Sequence, residues 1–250
     1  MVQPVPGEPA AIADCGDERA VVVADYHAGL EVALRRDGVE LRSAAGERRD
    51  ALVTLVDRER PDRVVILGDL ANAIGRPGDE ERGELDDLFA ALTERAPVTV
   101  AKGNHDGDLE DVVAELGYHD VTVTEGSGVR IGDVGFAHGH TWPARACVEA
   151  ETLCVAHEHP QVRLQDEVGG GRTERVWLRG RLNPEPFEAH YDALVDVAGD
   201  VVVFPAFNDR VGGTWVNQQD SFLSPFLPEA LADAEAYLLD GTRLGDYRRV

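Results

Sequence analysis

Lysine is nearly absent from this sequence, and positive charge of any kind is scarce. The chain has 24 basic residues, of which only Lys102 is a lysine, against 47 acidic residues, so its formal net charge is −23. We find no basic stripe that would bind nucleic acid electrostatically, and contacts of that kind weaken steeply with salt. A nucleic-acid substrate is still compatible with the sequence, because bound metal cations can hold a phosphodiester without a basic surface.

Cysteines and long apolar runs are also scarce. The three cysteines, Cys15, Cys147 and Cys154, are odd in number and form no CxxC pair, which argues against a disulfide framework and against a structural zinc cluster. No apolar stretch approaches the length of a membrane span, and residues 1–15 contain prolines and acids instead of a basic segment followed by an apolar run. We therefore expect a cytoplasmic protein that does not contact a membrane.

The acid-rich, arginine-only composition is typical of a halophilic protein encoded by a GC-rich genome. At molar salt the Debye length is about 3 Å, so repulsion among surface carboxylates is largely screened. Hydrophobic residues make up 43% of the chain, which is enough for a core, and no linker, repeat or low-complexity tract interrupts it. The sequence therefore predicts one domain over residues 1–250, while the composition gives no information on the oligomeric state.

Short β-branched runs recur along the first two thirds of the chain, and polar side chains directly follow each of them. The runs occupy residues 20–24, 63–67, 98–101, 133–137 and 152–156. Between the first three runs, residues 48–60 and 84–95 have the periodicity of amphipathic helices. Apolar strands that alternate with helices indicate a sheltered, mostly parallel sheet, and ligand sites in such sheets gather beyond the carboxyl ends of the strands.

The pattern changes after residue 160. A hairpin is expected between residues 162 and 181, single strands over 200–204 and 213–217, and a closing hairpin over 237–244, where an Asp-Gly pair provides the turn. The sequence therefore predicts an α/β protein whose second half adds antiparallel strands.

Six of the eight histidines lie directly behind the predicted strands, a location that a core or surface histidine has no reason to prefer. They are His27, His105, His138, His140, His157 and His159. The most specific segment is Gly-Asn-His-Asp at residues 103–106, because a Gly-Asn pair marks a turn and the flanking His-Asp adds nothing that a turn needs. Asp25 and Asp69 also follow strands, so the pattern indicates a metal site built from carboxylates and imidazoles.

These strand-end motifs resemble the five motifs of the calcineurin-like metallophosphoesterases. They read DYH at 25–27, GD at 68–69, GNHD at 103–106, HGH at 138–140 and HEH at 157–159. The segments ADYHAGLE, VVILGDLAN and AHEHP are similar to the archaeal branch related to the double-strand-break repair nuclease, and the composition suggests a haloarchaeal source. The resemblance, which extends over residues 21–160, implies an αββα sandwich of two mixed sheets flanked by helices.

The resemblance also implies two divalent metal ions, a water activated between them, and hydrolysis of a phosphodiester in nucleic acid or a nucleotide, or of a phosphomonoester. Carried over position by position, the motifs assign Asp25, His27 and His159 to one metal, Asn104, His138 and His157 to the other, and Asp69 to both. His105 remains free to protonate the leaving oxygen as the catalytic acid. His140 is the alternative to His138 as a ligand.

The chemistry of these side chains limits which metal ions and which functions are expected. Carboxylates, imidazoles and one amide oxygen without a thiolate favour Mn²⁺, with Zn²⁺, Fe and Mg²⁺ as alternatives. Ala156 stands where the motif has glycine, and alanine disfavours a positive φ, so His157 would move if the fold required one there. A metal-binding scaffold or regulatory protein without catalysis is the alternative function, but the presence of every ligand position and of His105 favours an enzyme.

Overall fold

Two mixed β-sheets form the middle of the computed structural model, which describes residues 1–165, 168–197, 199–219 and 221–250. The first sheet has, in spatial order, β1 (Val2–Pro4), β2 (Ala10–Asp14), β3 (Arg19–Val23), β4 (Arg63–Ile66), β5 (Val98–Val100) and β6 (Val121–Val123). Strands β1 to β3 pair antiparallel, whereas β3 to β6 pair parallel. The parallel half carries the first three strand-end motifs.

The second sheet combines a parallel centre with antiparallel flanks. Its spatial order is β14 (Arg243–Asp246), β13 (Leu231–Leu238), β11 (Gly171–Leu182), β12 (Asp200–Val203), β9 (Thr152–Val155), β8 (Val134–Phe136) and β7 (Val129–Ile131). Strand β10 (Gln161–Gln165) pairs with β11 beside this path. Only β12, β9 and β8 pair parallel, and β8 and β9 carry the last two motifs.

Helices cover the outer faces of both sheets. On the first sheet lie α2 (Ala45–Glu59), α3 (Asp79–Thr93) and α4 (Leu109–Leu116), and on the second α5 (Arg145–Val148) and α6 (Glu185–Tyr191). Helix α1 (Leu30–Arg36) precedes α2 in the chain. A short 3-10 helix, Tyr247–Arg249, ends the chain. The predicted fold class, an αββα sandwich of two mixed sheets flanked by helices, is confirmed.

Apolar side chains along the strands point alternately to the two faces of a sheet, which explains why both faces are covered. In β3, Val21 and Val23 pack against the helices, whereas Ala20 and Val22 belong to the core between the two sheets. In the second sheet, Phe136 and Trp177 fill that same central core. Because side chains on a strand alternate between its two faces, near-continuous apolar runs bury both.

The five strands and two helices predicted before residue 160 lie close to the observed β3, β4, β5, β8, β9, α2 and α3. The strand predicted over 213–217 is wrong. That segment forms a turn, with one isolated bridge between Gln161 and Trp215. The reason is local packing, because a Cβ on Gly213 would lie 2.0 Å from the carbonyl oxygen of His159. The segment therefore packs against the last motif instead of extending a sheet. Residues 166 and 167, within the predicted hairpin, lie outside the described residues.

Among the described residues, no helix combines the length and apolar character that crossing a membrane requires.

Candidate metal centre

The carboxyl ends of strands from both sheets bring the predicted ligands together. Asp25, His27, Asp69 and His159 form one group whose ligand atoms all lie within 4.8 Å of one another. The Nε2 atom of His159 lies 3.2 Å from Oδ1 of Asp25, and Nε2 of His27 lies 3.9 Å from Oδ2 of Asp69. This group contains residues that follow β3, β4 and β9.

A second group shares Asp69 with the first. It consists of Asp69, His138 and His157, again with ligand atoms within 4.8 Å. Nε2 of His138 lies 3.3 Å from Oδ2 of Asp69 and 3.2 Å from Oδ1 of Asn104, and Nδ1 of His157 is 3.1 Å from the same His138 nitrogen. Asp69 thus stands between two potential metal positions, and Asn104 lies beside the second.

The backbone at these residues is strained. Positive φ angles occur at Asp25 (53°), His27 (50°), Asp69 (46°), His157 (69°) and His159 (44°). Such conformations cost about 1–3 kcal/mol each and persist where surrounding structure over-determines them, typically at functional sites. Ala156 is not among the positive-φ residues, so its replacement of the motif's glycine leaves His157 in place.

Two glycines of the motifs allow the strand ends to approach one another. A Cβ on Gly103 would lie 2.3 Å from both the backbone nitrogen and Oδ1 of Asp69, and one on Gly68 would lie 2.6 Å from the ring of His138. These distances are far below van der Waals contact, so any other residue would push the motifs apart. The glycines in GD and GNHD are therefore required by packing across the site.

Hydrogen bonds to carbonyls fix the tautomers of two histidines. Nδ1 of His138 donates to the carbonyl oxygen of Leu67 at 2.8 Å, and Nδ1 of His159 donates to that of Gly212 at 2.7 Å. In both rings Nε2 then faces the carboxylates and is the nitrogen that would bind a metal after losing its proton.

The pKa values of the four histidines depend on how close each one lies to the buried carboxylates. Burial lowers the pKa of His138 and of His159, but the neighbouring Asp69 and Asp25 outweigh burial and raise each pKa to about 9. His27 and His157 are dominated by burial, which lowers the pKa of each to about 4. Without a metal, two protonated histidines therefore neutralise the buried aspartates.

The donor set fits divalent metal ions. Asp25 is fully buried, yet neither of its carboxylate oxygens accepts a hydrogen bond, and neither ring nitrogen of the buried His27 has a hydrogen-bond partner in the described part of the chain. Unpaired buried polar atoms are costly, so they indicate a missing partner. Oxygen and imidazole donors without thiolate suit hard or borderline divalent cations.

His105 lies at the edge of these groups and makes contacts that orient it. Its backbone N–H donates to Oδ1 of Asp69 at 2.9 Å, and its Nδ1 donates to the carbonyl oxygen of Asn72 at 2.5 Å. Its ring stands edge to face with that of His27, with 5.2 Å between centroids. Because Nδ1 is engaged, Nε2 of this half-buried ring is the nitrogen left for a substrate.

His140, the alternative ligand, belongs to neither group. Its ring centroid lies 5.3 Å from that of His138, and burial lowers its pKa. The structure brings His138, and not His140, to the shared carboxylate of Asp69.

Sequence reasoning missed two buried carboxylates that hold the motifs in place. Asp106 accepts hydrogen bonds from the backbone N–H groups of Ala71 at 3.0 Å and Gly103 at 2.8 Å, and burial raises its pKa to about 6. Its position at the end of GNHD was the available signal. Glu158, between His157 and His159, has no such signal in the sequence.

Glu158 joins three segments at the last motif. It is fully buried and accepts hydrogen bonds from the Thr214 hydroxyl at 2.9 Å and from the backbone N–H groups of Leu223 at 3.0 Å and Ser224 at 2.7 Å. The Thr214 segment also contains Gly212, whose carbonyl accepts from His159. Glu158 therefore holds the segment whose Gly212 carbonyl orients the ring of His159.

We expect Glu158→Gln to weaken metal binding by about 10–100-fold, the usual effect of removing a residue that orients a ligand. An amide would point its NH₂ group at one of the N–H donors that the carboxylate now satisfies. Calorimetric titration with Mn²⁺ measures the affinity. Glu151→Gln makes the same charge change at an exposed position and is the control; equal affinities of the two variants would contradict the assignment.

Comparison with known protein families gives a match over most of this chain. A family model described as calcineurin-like phosphoesterase matches residues 18–204. No match was found among curated proteins. Neither result bears on the predicted haloarchaeal origin, which stays a prediction.

Solved structures include one with the same fold. A nuclease MPE from Pseudomonas putida is similar at a TM-score of 0.57 and 17% identity, covering 98% of this chain and 100% of that one. Yfce, a phosphoesterase from E. coli, matches at a TM-score of 0.35 and 19% identity over 59% of this chain and 73% of that one. A predicted phosphoesterase from Streptococcus pneumoniae TIGR4 matches at 0.30 and 11%, covering 90% and 91%.

Proposed function

The chain belongs to the calcineurin-like phosphoesterase family, and on that premise we propose that it hydrolyses phosphodiesters with two divalent metal ions, of which Mn²⁺ is the first candidate. One observation carries the proposal: two groups of buried potential ligands share the carboxylate of Asp69 at the carboxyl ends of the sheets. A carboxylate has two oxygens, so a single aspartate can serve two metals. Nucleic acids are the first substrates to test, since the nuclease from Pseudomonas putida has this fold throughout.

In this proposal Asp25, His27 and His159 would hold one ion, Asn104, His138 and His157 would hold the other, and Asp69 would serve both. Two such ions acidify a water molecule and stabilise the charge that develops on the phosphoryl oxygens. The chain's contribution is to fix the ligand orientations through the carbonyls of Leu67 and Gly212. Because His138 and His159 are protonated in the metal-free site, binding displaces their protons and weakens as the pH falls.

His105 is proposed as the acid that protonates the leaving oxygen. Its Nδ1 is held by the carbonyl of Asn72, which leaves Nε2 to carry a proton toward the substrate. The same orientation supports an enzyme over a metal-binding scaffold, because a scaffold has no use for an oriented proton donor beside its metals.

A panel of phosphoesters with added Mn²⁺, at low and at molar salt, tests the function. It contains single-stranded and double-stranded DNA, RNA, cyclic nucleotides, an aryl phosphodiester and an aryl phosphomonoester. We expect metal-dependent cleavage of phosphodiesters that EDTA abolishes and Mn²⁺ restores. Tight binding of Mn²⁺ without turnover of any member would instead support the scaffold function.

A further inference from the structure

A cleft of about 300 Å³ lies beside the metal centre and is separate from the predicted ligands. Four parts of the chain form it: the turn between β1 and β2, the start of α2, strand β11 and the segment after β12. The side chains that matter below are Arg48, Arg175, Phe207 and Arg210.

One wall of this cleft contacts the metal centre through the backbone. Phe207 donates its backbone N–H to the carbonyl of Ala24 at 2.7 Å, and Asn208 donates its own to that of Asp25 at 3.3 Å. The Asn208 side-chain amide donates to the carbonyl of Tyr26 at 3.1 Å. The wall of the cleft is therefore joined directly to the segment that carries Asp25.

Arg175 is a half-buried charge in the cleft that lacks a counterion. Its Nη1 donates to the carbonyls of Ala206 at 2.9 Å and Phe207 at 3.4 Å, but no carboxylate of the described residues lies within the 4.0 Å of an ion pair. Burial lowers the pKa of its guanidinium, with weaker opposing effects from Asp209 and Glu174. A desolvated charge without a partner is unfavourable, so an anionic ligand would stabilise it.

The other two arginines of the cleft are already neutralised. Arg48 lies 3.1 Å from Oε1 of the buried Glu31 and 2.6 Å from Oε1 of Glu84, and Arg210 lies 2.9 Å from Oε1 of Glu31. The carboxylates of Glu8 and Glu47 lie 4.0 Å from Arg58 and 3.8 Å from Arg42, respectively. Among the described residues, Arg175 is therefore the arginine of the cleft that has no ion-pair partner, although Asp209 also lines the cleft and the whole chain carries −23.

An aromatic wall adjoins this charge. Phe207 is half-buried and stacks on Tyr26, with 6.1 Å between ring centroids and 10° between planes. Arginine donors bind phosphate oxygens in a fork, and aromatic rings contact bases or sugars. A guanidinium and an aromatic ring in one cleft thus suit a nucleotide unit.

We propose that this cleft binds a second phosphate of a single-stranded nucleic acid whose scissile bond lies at the metal centre. The guanidinium of Arg175 donates hydrogen bonds to the oxygens of that second phosphate. The inference rests on the proposed function and narrows its substrate to strands longer than one phosphodiester. Arg175 is a binding residue and takes no part in the chemical step.

The test compares Arg175→Gln with the wild type on a single-stranded oligonucleotide and on an aryl phosphodiester. Losing a hydrogen bond to a charged group costs about 10–100-fold in affinity, so KM for the oligonucleotide should rise by that factor with little change in kcat. The aryl phosphodiester, which has one phosphate, should be cleaved at an unchanged rate. Arg175→Lys keeps the charge without the fork and should recover part of the affinity.

The control is Arg179→Gln, which removes the same charge from the same strand. Arg179 is also half-buried and has no carboxylate partner in the described part of the chain, but it donates to the carbonyl of Val2 and does not line the cleft. Equal losses on both substrates, no loss on the oligonucleotide, or the same loss in Arg179→Gln would each overturn the inference. Thermal melting and Mn²⁺ content establish that the Arg175 variants are folded and loaded.

A binding measurement separates this inference from the proposed function. Fluorescence anisotropy of a labelled oligonucleotide should give an affinity for Arg175→Gln about 10–100-fold below that of the wild type, and a salt dependence with a slope smaller by about one. If the wild type cleaves no phosphoester, the proposed function fails while the anisotropy result still decides the inference. Stronger binding of a free mononucleotide than of the strand would assign the cleft to a separate ligand and overturn it.

Discussion

We expect the replacement of Asp69 with alanine to abolish metal binding in both halves of the proposed site and, with it, the proposed phosphoesterase activity. Its side chain is almost fully buried, and Oδ2 lies 3.3 Å from Nε2 of His138 and 3.9 Å from Nε2 of His27. Without this carboxylate, two cations would face each other across the gap with no shared anion. We expect the affinity for Mn²⁺ to fall by more than the roughly 10–100-fold typical of an orienting residue.

Elemental analysis after loading with Mn²⁺ and dialysis measures the result, and the wild type should retain two ions. Asp17→Ala is the control, since it removes an aspartate from an exposed turn. Asp69→Asn tests the backbone separately, because asparagine tolerates the positive φ of this position whereas alanine does not. Retention of two ions by Asp69→Ala would show that the carboxylate does not bridge them.

His105→Ala should slow turnover by about 10²–10⁴-fold, the usual contribution of a positioned acid, while both metals remain bound. The metals should remain because the contact of this residue with Asp69 comes from its backbone N–H, which alanine also has. Substrate affinity should change little. Metal content, KM and kcat are the three measurements, and His119→Ala removes an exposed histidine as the control.

A comparison of substrates with different leaving groups gives a sharper test of His105 as the general acid. An aryl phosphodiester expels a stable phenolate and needs little protonation, whereas a nucleic-acid phosphodiester expels an alkoxide. His105→Ala should therefore lose much less rate on the aryl substrate than on DNA. Equal losses on both, or loss of the metals, would rule out His105 as the general acid.

The sequence by itself determined the architecture and the location of the site. Apolar runs that alternate with amphipathic helices predicted the strands β3, β4, β5, β8 and β9, and the structure contains all five. Because parallel strands place their carboxyl ends at one edge of a sheet, the residues that follow these runs had to gather there. The local order of residues was therefore sufficient to expect Asp25 and Asp69, which follow strands of the same sheet, in one place.

Only the tertiary structure decided how close those residues come. His138 and His140 are equivalent in the sequence pattern, but the packing of the second sheet against the first brings His138 alone to Asp69. The segment over 213–217 has the composition of a strand, yet contact with the last motif makes it a turn. These outcomes depend on contacts between distant parts of the chain.

The surroundings of Glu158 and Arg175 also depend on contacts between distant parts of the chain. Glu158 is one acid among 47 acidic residues, and its three donors come from residues 214, 223 and 224, so nothing near it in the sequence marks it. Unlike Arg48 and Arg210, Arg175 forms no ion pair with a carboxylate of the described residues. Hydrophobic periodicity is a local property and fixes the strands, whereas hydrogen bonding and charge pairing act between segments and exist only once the sheets have packed.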